Sequence, residues 1–166
     1  MTKYYYLVSS LPHLSFPGEP PVSVETFIAE CGKWCSPADM RAILSSGRDN
    51  CGEDPQGGQL LRECSSFERE LRGSLEEFRK QRRASGKTGA PERLRTALEQ
   101  ENPLLMEKAL EKMRWDFLED KKGLYFFDGN WLILYYLKLQ ILDRLSRFDK
   151  DKGENYFYKI CEVVYE

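Results

Sequence analysis

The chain has 166 residues, 41% of them hydrophobic, which is enough for one sizeable core or for two small lobes that share one. Its 25 Lys and Arg residues nearly balance its 27 Asp and Glu residues, which argues against nucleic acid as a partner. The opening MTKYYYLVSS lacks the pattern of a signal peptide, the longest apolar run ends at Lys138, and the cysteine count of five is odd. We therefore expect a cytoplasmic protein with reduced thiols.

The N-terminal part of the chain predicts three short helices. Residues 4–11 place apolar groups at helical spacing; three consecutive tyrosines are equally at home in a strand, and we favour the helix. The proline-rich residues 12–21 predict an extended connector. Ser23 and Ser36 are typical N-caps, so one helix should run to about residue 35 and the next should end at Gly47.

A long helix is predicted from residue 59 to about residue 83. Apolar side chains recur there every three or four positions on one face, while charges cover the other face, so the helix should pack antiparallel to an equally long partner. Residues 85–91 are rich in Ser, Gly, Lys and Pro, a composition typical of a flexible linker. The rest of the chain predicts four helices, at about 91–101, 102–123, 128–148 and 156–164.

These elements predict an all-α fold, because no alternating apolar pattern bounded by glycines follows residue 23. We expect a helical bundle of about six to seven helices. It should comprise an N-terminal helical lobe at 1–84, a flexible linker at 85–91 and a C-terminal helical lobe at 92–166.

The linker contains Gly86, Lys87 and Thr88, which are the residue types that end a phosphate-binding loop. Such a loop also needs a glycine five positions earlier and a preceding apolar strand, but position 81 is Gln and follows a charged helix. We therefore expect no nucleotide, and Lys87→Ala should leave both stability and the response to nucleotides unchanged. The single histidine, His13, has no marked catalytic partner, so we also expect no enzymatic activity and no cofactor.

Four cysteines leave a different class of function open. Cys31, Cys35, Cys51 and Cys64 can be drawn as thiolates around zinc, which would make this a zinc or thiol protein. Only Cys31 and Cys35 approach the spacing of a structural zinc site, and Cys64 falls on the apolar face of the long helix, where a thiol acts as a small hydrophobe. We favour inert thiols and no bound metal.

Two predicted helices carry residues that break their apolar pattern. In the helix at 102–123, Trp115 faces away from the main apolar stripe, so this helix is either covered on both sides or presents Trp115 to a partner. In the helix at 128–148, Lys138 intrudes on an apolar side. We expect its stem to run along the core until its ammonium reaches water, with a buried carboxylate partner as the alternative.

Three stretches of the chain carry a resemblance to known proteins. They are KYYYLVSSLPHLSF followed by PPVSVETFIAEC, then MRWDFLED, and finally WLILYYLKLQILDRLSRFDKDKG. Together they resemble a bacterial family of uncharacterised proteins encoded with the subunits of V-type ATP synthases. The N-terminal segment and the helical pattern are also similar, more distantly, to the C (or d) subunit of V-type and archaeal-type ATPases, in which helices form a funnel on the membrane rotor ring that receives the central stalk.

The resemblance implies a non-enzymatic assembly or central-stalk coupling component of a V-type ATPase or ATP synthase. Such a protein would bind subunits of the rotor ring or central stalk, and it would lie at the inner membrane only through that complex. A generic helical adaptor with an unrelated partner is a further alternative. The partner-contact residues that we expect are Tyr4, Tyr5, Trp115, Phe126 and Phe127.

Overall fold

The computed structural model describes residues 3–47, 58–84, 92–100, 102–148, 153 and 157–161. Every regular element in these residues is a helix, which confirms the all-α prediction, and residues 157–161 are helical as well. The helices with defined bounds are α1 (Tyr5–Ser10), α2 (Val24–Trp34), α3 (Pro37–Ser45), α4 (Gln59–Ala84), α5 (Glu92–Leu98), α6 (Pro103–Lys122) and α7 (Gly129–Ser146).

Local capping sets where four of these helices begin. Ser23, Ser36, Asn102 and Asp128 stand at the N-caps of α2, α3, α6 and α7. The side-chain oxygen of each accepts a hydrogen bond from a backbone N–H two or three residues later, which satisfies a donor that the first helical turn leaves unpaired. The predicted starts of these helices are therefore confirmed.

Helix α7 is the centre of the bundle. Its side chains are buried almost all round from residue 132 to residue 142, and helices α2, α3 and α6 pack against it. A helix that is apolar on every side has to be enclosed by other elements. Leu132, Leu139 and Leu142 are its most deeply buried side chains.

Helix α4 lies antiparallel to α6 as predicted, but α6 is shorter than the equally long partner that the pattern predicts. Near the start of α4, Glu63 pairs with Lys121 at 2.7 Å, close to the end of α6. Further along α4, Glu68 pairs with Arg114, which stands about two turns earlier in α6, also at 2.7 Å. Residue numbers rise along one helix as they fall along the other, and α6 has 20 residues against the 26 of α4.

The buried residues form two clusters, and each cluster combines side chains from both predicted lobes. In the larger one, Phe27 stacks on Tyr135 and Tyr136 at ring-centroid distances of 5.2 and 5.8 Å. The predicted linker, 85–91, lies outside the described residues, and the division into lobes stays a prediction. The smaller cluster comprises Leu71, Phe78, Leu94, Ala97, Leu98 and Leu110.

Over the part of the chain that the structure describes, we find no helix that combines the length and the apolar character needed to cross a bilayer.

Candidate partner-binding surface

An exposed aromatic surface is formed by the start of α1, the end of α2 and the loop between α6 and α7. Tyr6 is 68% exposed and Phe126 is 62% exposed, which is unusual for such large apolar side chains. Phe127 is half-buried beside them. We define the aromatic surface as Tyr5, Tyr6, Trp34, Leu124, Phe126 and Phe127.

Two ring pairs organise this surface. The ring of Tyr5 lies 5.0 Å from that of Phe127, and the ring of Tyr6 lies 4.9 Å from that of Trp34, measured between centroids. Tyr5 and Tyr6 are consecutive in α1, so the two ring pairs lie at neighbouring positions of the surface. Large exposed apolar patches often mark binding sites, so a concentration of exposed rings favours a protein–protein contact.

Hydrogen bonds tie the chain just before α1 to the loop that carries the phenylalanines. The Lys3 ammonium donates to the carbonyl of Phe126 at 2.7 Å and lies 3.8 Å from the carboxylate of Asp128. The backbone N–H of Tyr4 donates to the carbonyl of Phe127 at 2.5 Å. The start of α1 and the loop between α6 and α7, more than 100 residues apart in sequence, are therefore joined backbone to backbone.

A buried tyrosine supports the surface from below. The hydroxyl of Tyr4 donates to Asp39 of α3 and accepts from the backbone N–H of Ser36 at 3.1 Å. Burial raises the pKa of Tyr4, and its hydrogen bond to the Asp39 carboxylate raises it further. A Cβ at Gly129 would stand only 2.9 Å from Oδ1 of the same Asp39, so a larger residue where α7 begins would displace the carboxylate that Tyr4 binds.

Phe127 adopts a backbone conformation that is unfavourable for its residue type. Its φ of 57° lies in the left-handed region, which a bulky side chain enters only where the surrounding structure holds it. Here the hydrogen bond from Tyr4 and the contact with the Tyr5 ring provide that support. A strained aromatic residue that lies half-buried at this surface favours a role in binding over a role in stability.

The structure places three of the five expected contact residues on the aromatic surface and moves two away from it. Tyr5, Phe126 and Phe127 belong to the surface. The expectation for Tyr4 and Trp115 is corrected, because these side chains are only 6% and 5% exposed and cannot contact a partner of the folded chain.

The physical reason for the Trp115 correction is that α6 is covered on both sides. One face of α6 packs on α4, while Trp115 on the other face packs against the connector before α2, with its ring 5.5 Å from that of Phe16. The Lys138 ammonium of α7 lies 5.2 Å from the Trp115 ring.

Three members of the surface were missed from the sequence. Tyr6 had a detectable signal, since a helix that buries Tyr4 and Leu7 turns Tyr6 outward. Trp34 ends an amphipathic helix and Leu124 lies in a loop, and neither has a pattern that distinguishes it from an ordinary surface residue.

The described cysteines do not converge on a metal site. Among the residues that the structure describes, no three His, Cys, Asp or Glu side chains are grouped closely enough to hold a metal ion. Cys31 and Cys64 are buried in the larger core cluster, and Cys51, the fourth cysteine of the zinc hypothesis, lies outside the described residues.

Burial makes the Cys31 thiol a poor nucleophile. It raises the pKa of Cys31 to about 12, and the adjacent thiol of Cys35 adds to the effect. The pKa of Cys35 is raised as well, again chiefly by burial. Because the thiolate is the reactive form, these two thiols fit a structural role better than a redox role.

Part of the sequence that forms this surface matches a known family model. Residues 90–166, just under half of the chain, match the sequence model of a family described as Protein of unknown function (DUF2764). The matched segment contains α5, α6 and α7 and therefore contributes Leu124, Phe126 and Phe127 to the aromatic surface. No curated protein and no solved structure matches the chain.

Proposed function

We propose that this protein is a non-enzymatic component of a proton- or sodium-translocating V-type ATPase or ATP synthase, acting in its assembly or in coupling at the central stalk. The resemblance of three stretches of the chain to proteins encoded with such subunits supports the proposal. Its partner is a subunit of the rotor ring or of the central stalk. Contact with the membrane occurs only through the complex, and nucleic acid is not a partner.

The observation that carries the proposal is the aromatic surface. Most of its rings are large and exposed, and hydrogen bonds hold the start of α1 to the loop that carries Phe126 and Phe127, so little backbone freedom is lost there when a partner covers the surface. Aromatic side chains of this kind supply most of the binding energy in many interfaces. The N-terminal stretch that carries the resemblance also supplies Tyr5 and Tyr6, which links the two arguments.

The proposal is tested by capturing the tagged full chain from its native cells and identifying bound proteins by mass spectrometry. We expect subunits of a V-type ATPase with the parent chain and their loss when Tyr6 and Trp34 are both replaced by Ala. Leu105→Ala is the matched control, because Leu105 is a large exposed apolar residue outside the aromatic surface.

The possible results separate the function from the surface. If the parent captures no ATPase subunit, the proposed function is rejected, and a single unrelated partner would favour the generic adaptor instead. If the double variant captures the subunits as well as the Leu105→Ala control does, the aromatic surface is not the contact.

A further inference from the structure

A cavity of about 170 Å³ lies between α7 and the stretch of chain formed by the end of α1 and the connector that follows it. Its walls are apolar side chains such as Val8 and Leu134, together with the rings of Trp131 and Tyr135, which stack on each other at 5.5 Å. The Tyr135 hydroxyl donates to the carbonyl of Pro12 at 2.9 Å and holds the connector over α7. The cavity is therefore built into the fold.

Lys138 lines this cavity from an otherwise apolar stretch of α7. Its side chain is only 6% exposed, so its ammonium is largely withdrawn from water, in contrast to the expectation from the sequence. The ammonium instead donates to the carboxylate of Glu119 and lies over the Trp115 ring. Burial lowers the pKa of Lys138, while the Glu119 partner opposes that shift.

The charges around the cavity leave positive charge in excess. Glu119 is shared by two lysines, because Lys122 lies 3.4 Å from its Oε1 while Lys138 binds Oε2. Lys122 also lines the cavity, as does His13. No carboxylate is found among the described residues that line it, so two ammonium groups share one external counter-charge.

We propose that this cavity binds a small organic monoanion, a carboxylate with an apolar body of about six carbons. The carboxylate is bound by the ammonium groups of Lys138 and Lys122, where it supplies the missing negative charge. The apolar body packs between Val8, Leu134 and the Trp131 ring. An apolar protein cavity of about 150 Å³ holds a benzene ring, so the available volume fits a ligand of this size.

If the methylene stem of Lys138 simply passed along the core to reach water, the ammonium would be exposed. The ammonium of Lys138 is instead largely buried. A buried ammonium has three N–H groups to satisfy, and the Glu119 carboxylate that accepts from Lys138 is half-exposed and is shared with Lys122. A bound carboxylate provides further acceptors for the Lys138 ammonium. The walls of the cavity shield both groups from water. This binding site is separate from the aromatic surface and does not depend on the proposed function.

The test uses the full chain at neutral pH with benzoate and hexanoate as probes, followed by calorimetry and by NMR of the methyl groups. We expect saturable binding below about 10 mM with shifts at the methyls of Val8 and Leu134, and binding of benzamide at least about tenfold weaker. Lys138→Met, which keeps a side chain of similar size but removes the ammonium, should weaken benzoate binding by at least about tenfold.

Two further variants keep the result decisive. Lys122→Met removes the more exposed ammonium, and should weaken benzoate binding even if Lys138→Met does not fold. Lys80→Met is the matched control, because Lys80 is an exposed lysine on α4, and its binding should equal that of the parent. Absence of binding by the parent, shifts confined to other methyls, or equal binding by the Lys122→Met and Lys80→Met variants would overturn the proposal.

Discussion

Glu111 is a fully buried carboxylate on α6 that holds two guanidinium groups. Its Oε1 lies 3.4 Å from Nη1 of Arg114 and 3.4 Å from Nε of Arg144 on α7. Arg114 also reaches Glu68 of α4, so the network joins three helices. Buried charges of this kind are costly to leave unpaired, which makes the set more important for the geometry of the bundle than for its net stability.

Replacing Glu111 by Gln should destabilise the fold by about 1 to 3 kcal/mol, because a buried charged hydrogen-bond acceptor is lost while Arg114 keeps Glu68. Chemical denaturation followed by circular dichroism measures the change in the free energy of unfolding. The control is Glu99→Gln, which removes the carboxylate of an exposed pair with Arg95 and should have no measurable effect. Equal stability of the two variants would contradict the role given to Glu111.

The ion pair of Glu119 and Lys138 should make the stability of the fold depend on pH in the acidic range. Burial acts to raise the pKa of Glu119, but the hydrogen bond from Lys138 and the charges of Lys138 and Lys122 outweigh it, and the pKa lies below its usual value of 4.5. A carboxyl whose pKa is lower in the folded state than in the unfolded chain stabilises the fold at pH values above the unfolded-state pKa. That stability is lost as the pH falls through the folded-state pKa.

The Glu119→Gln variant should therefore lose less stability than the parent between about pH 5 and pH 3. Denaturant unfolding at a series of pH values measures the two slopes. Glu99→Gln again serves as the control and should follow the parent. A Glu119→Gln variant with the parent's acid sensitivity would show that this carboxyl is not stabilised by the lysines.

At the scale of the element, Asp128 connects helix capping to the aromatic surface. Its side chain accepts from the backbone N–H of Trp131 at 3.0 Å and starts the central helix, while its carboxylate faces Lys3. The residue immediately before Asp128 is the strained Phe127. The start of α7 and the shape of the surface therefore depend on the same turn.

Asp128→Ala should lower the free energy of unfolding by about 1 to 2 kcal/mol, because it removes both the cap and a buried partner of Lys3. Asp128→Ser keeps a capping oxygen and should recover most of that loss. Thermal and denaturant unfolding of both variants provide the measurement. If Ser destabilises as much as Ala, the cap is not the source of the effect.

At the scale of the whole molecule, the core argues for one cooperative unit. Both buried clusters combine residues from before and after the predicted linker, and α7 packs against α2, α3 and α6. An N-terminal segment alone would expose Phe27, which is fully buried against Tyr135 and Tyr136. Each of the two segments therefore needs the other to bury its apolar side chains.

We therefore expect that neither residues 1–84 nor residues 92–166 fold when prepared as separate fragments. Each fragment should unfold without a cooperative transition, and mixing the two should restore helical content and cooperativity. Circular dichroism during thermal unfolding measures this directly. Cooperative unfolding of either fragment alone would instead support two autonomous lobes.

Sequence reasoning succeeded where the deciding contacts are local. The capping oxygens of Ser23 and Asp128 lie within three residues of the N–H groups they satisfy, and the period of α4 is set within one helix. It failed where distant residues decide. Burial of Trp115 depends on Phe16, and the pairing of Tyr6 with Trp34 depends on how α1 packs on α2, which no local pattern encodes.

The most direct test of the central claim places a photo-crosslinking phenylalanine analogue on the aromatic surface. We expect the analogue at Trp34 or at Tyr6, irradiated in native cells, to form an adduct with a rotor-ring or central-stalk subunit of a V-type ATPase. At Leu105, an exposed apolar position outside the surface, it should form none. An adduct with such a subunit from Leu105 but not from Trp34 or Tyr6, or no ATPase adduct at all, would contradict the account.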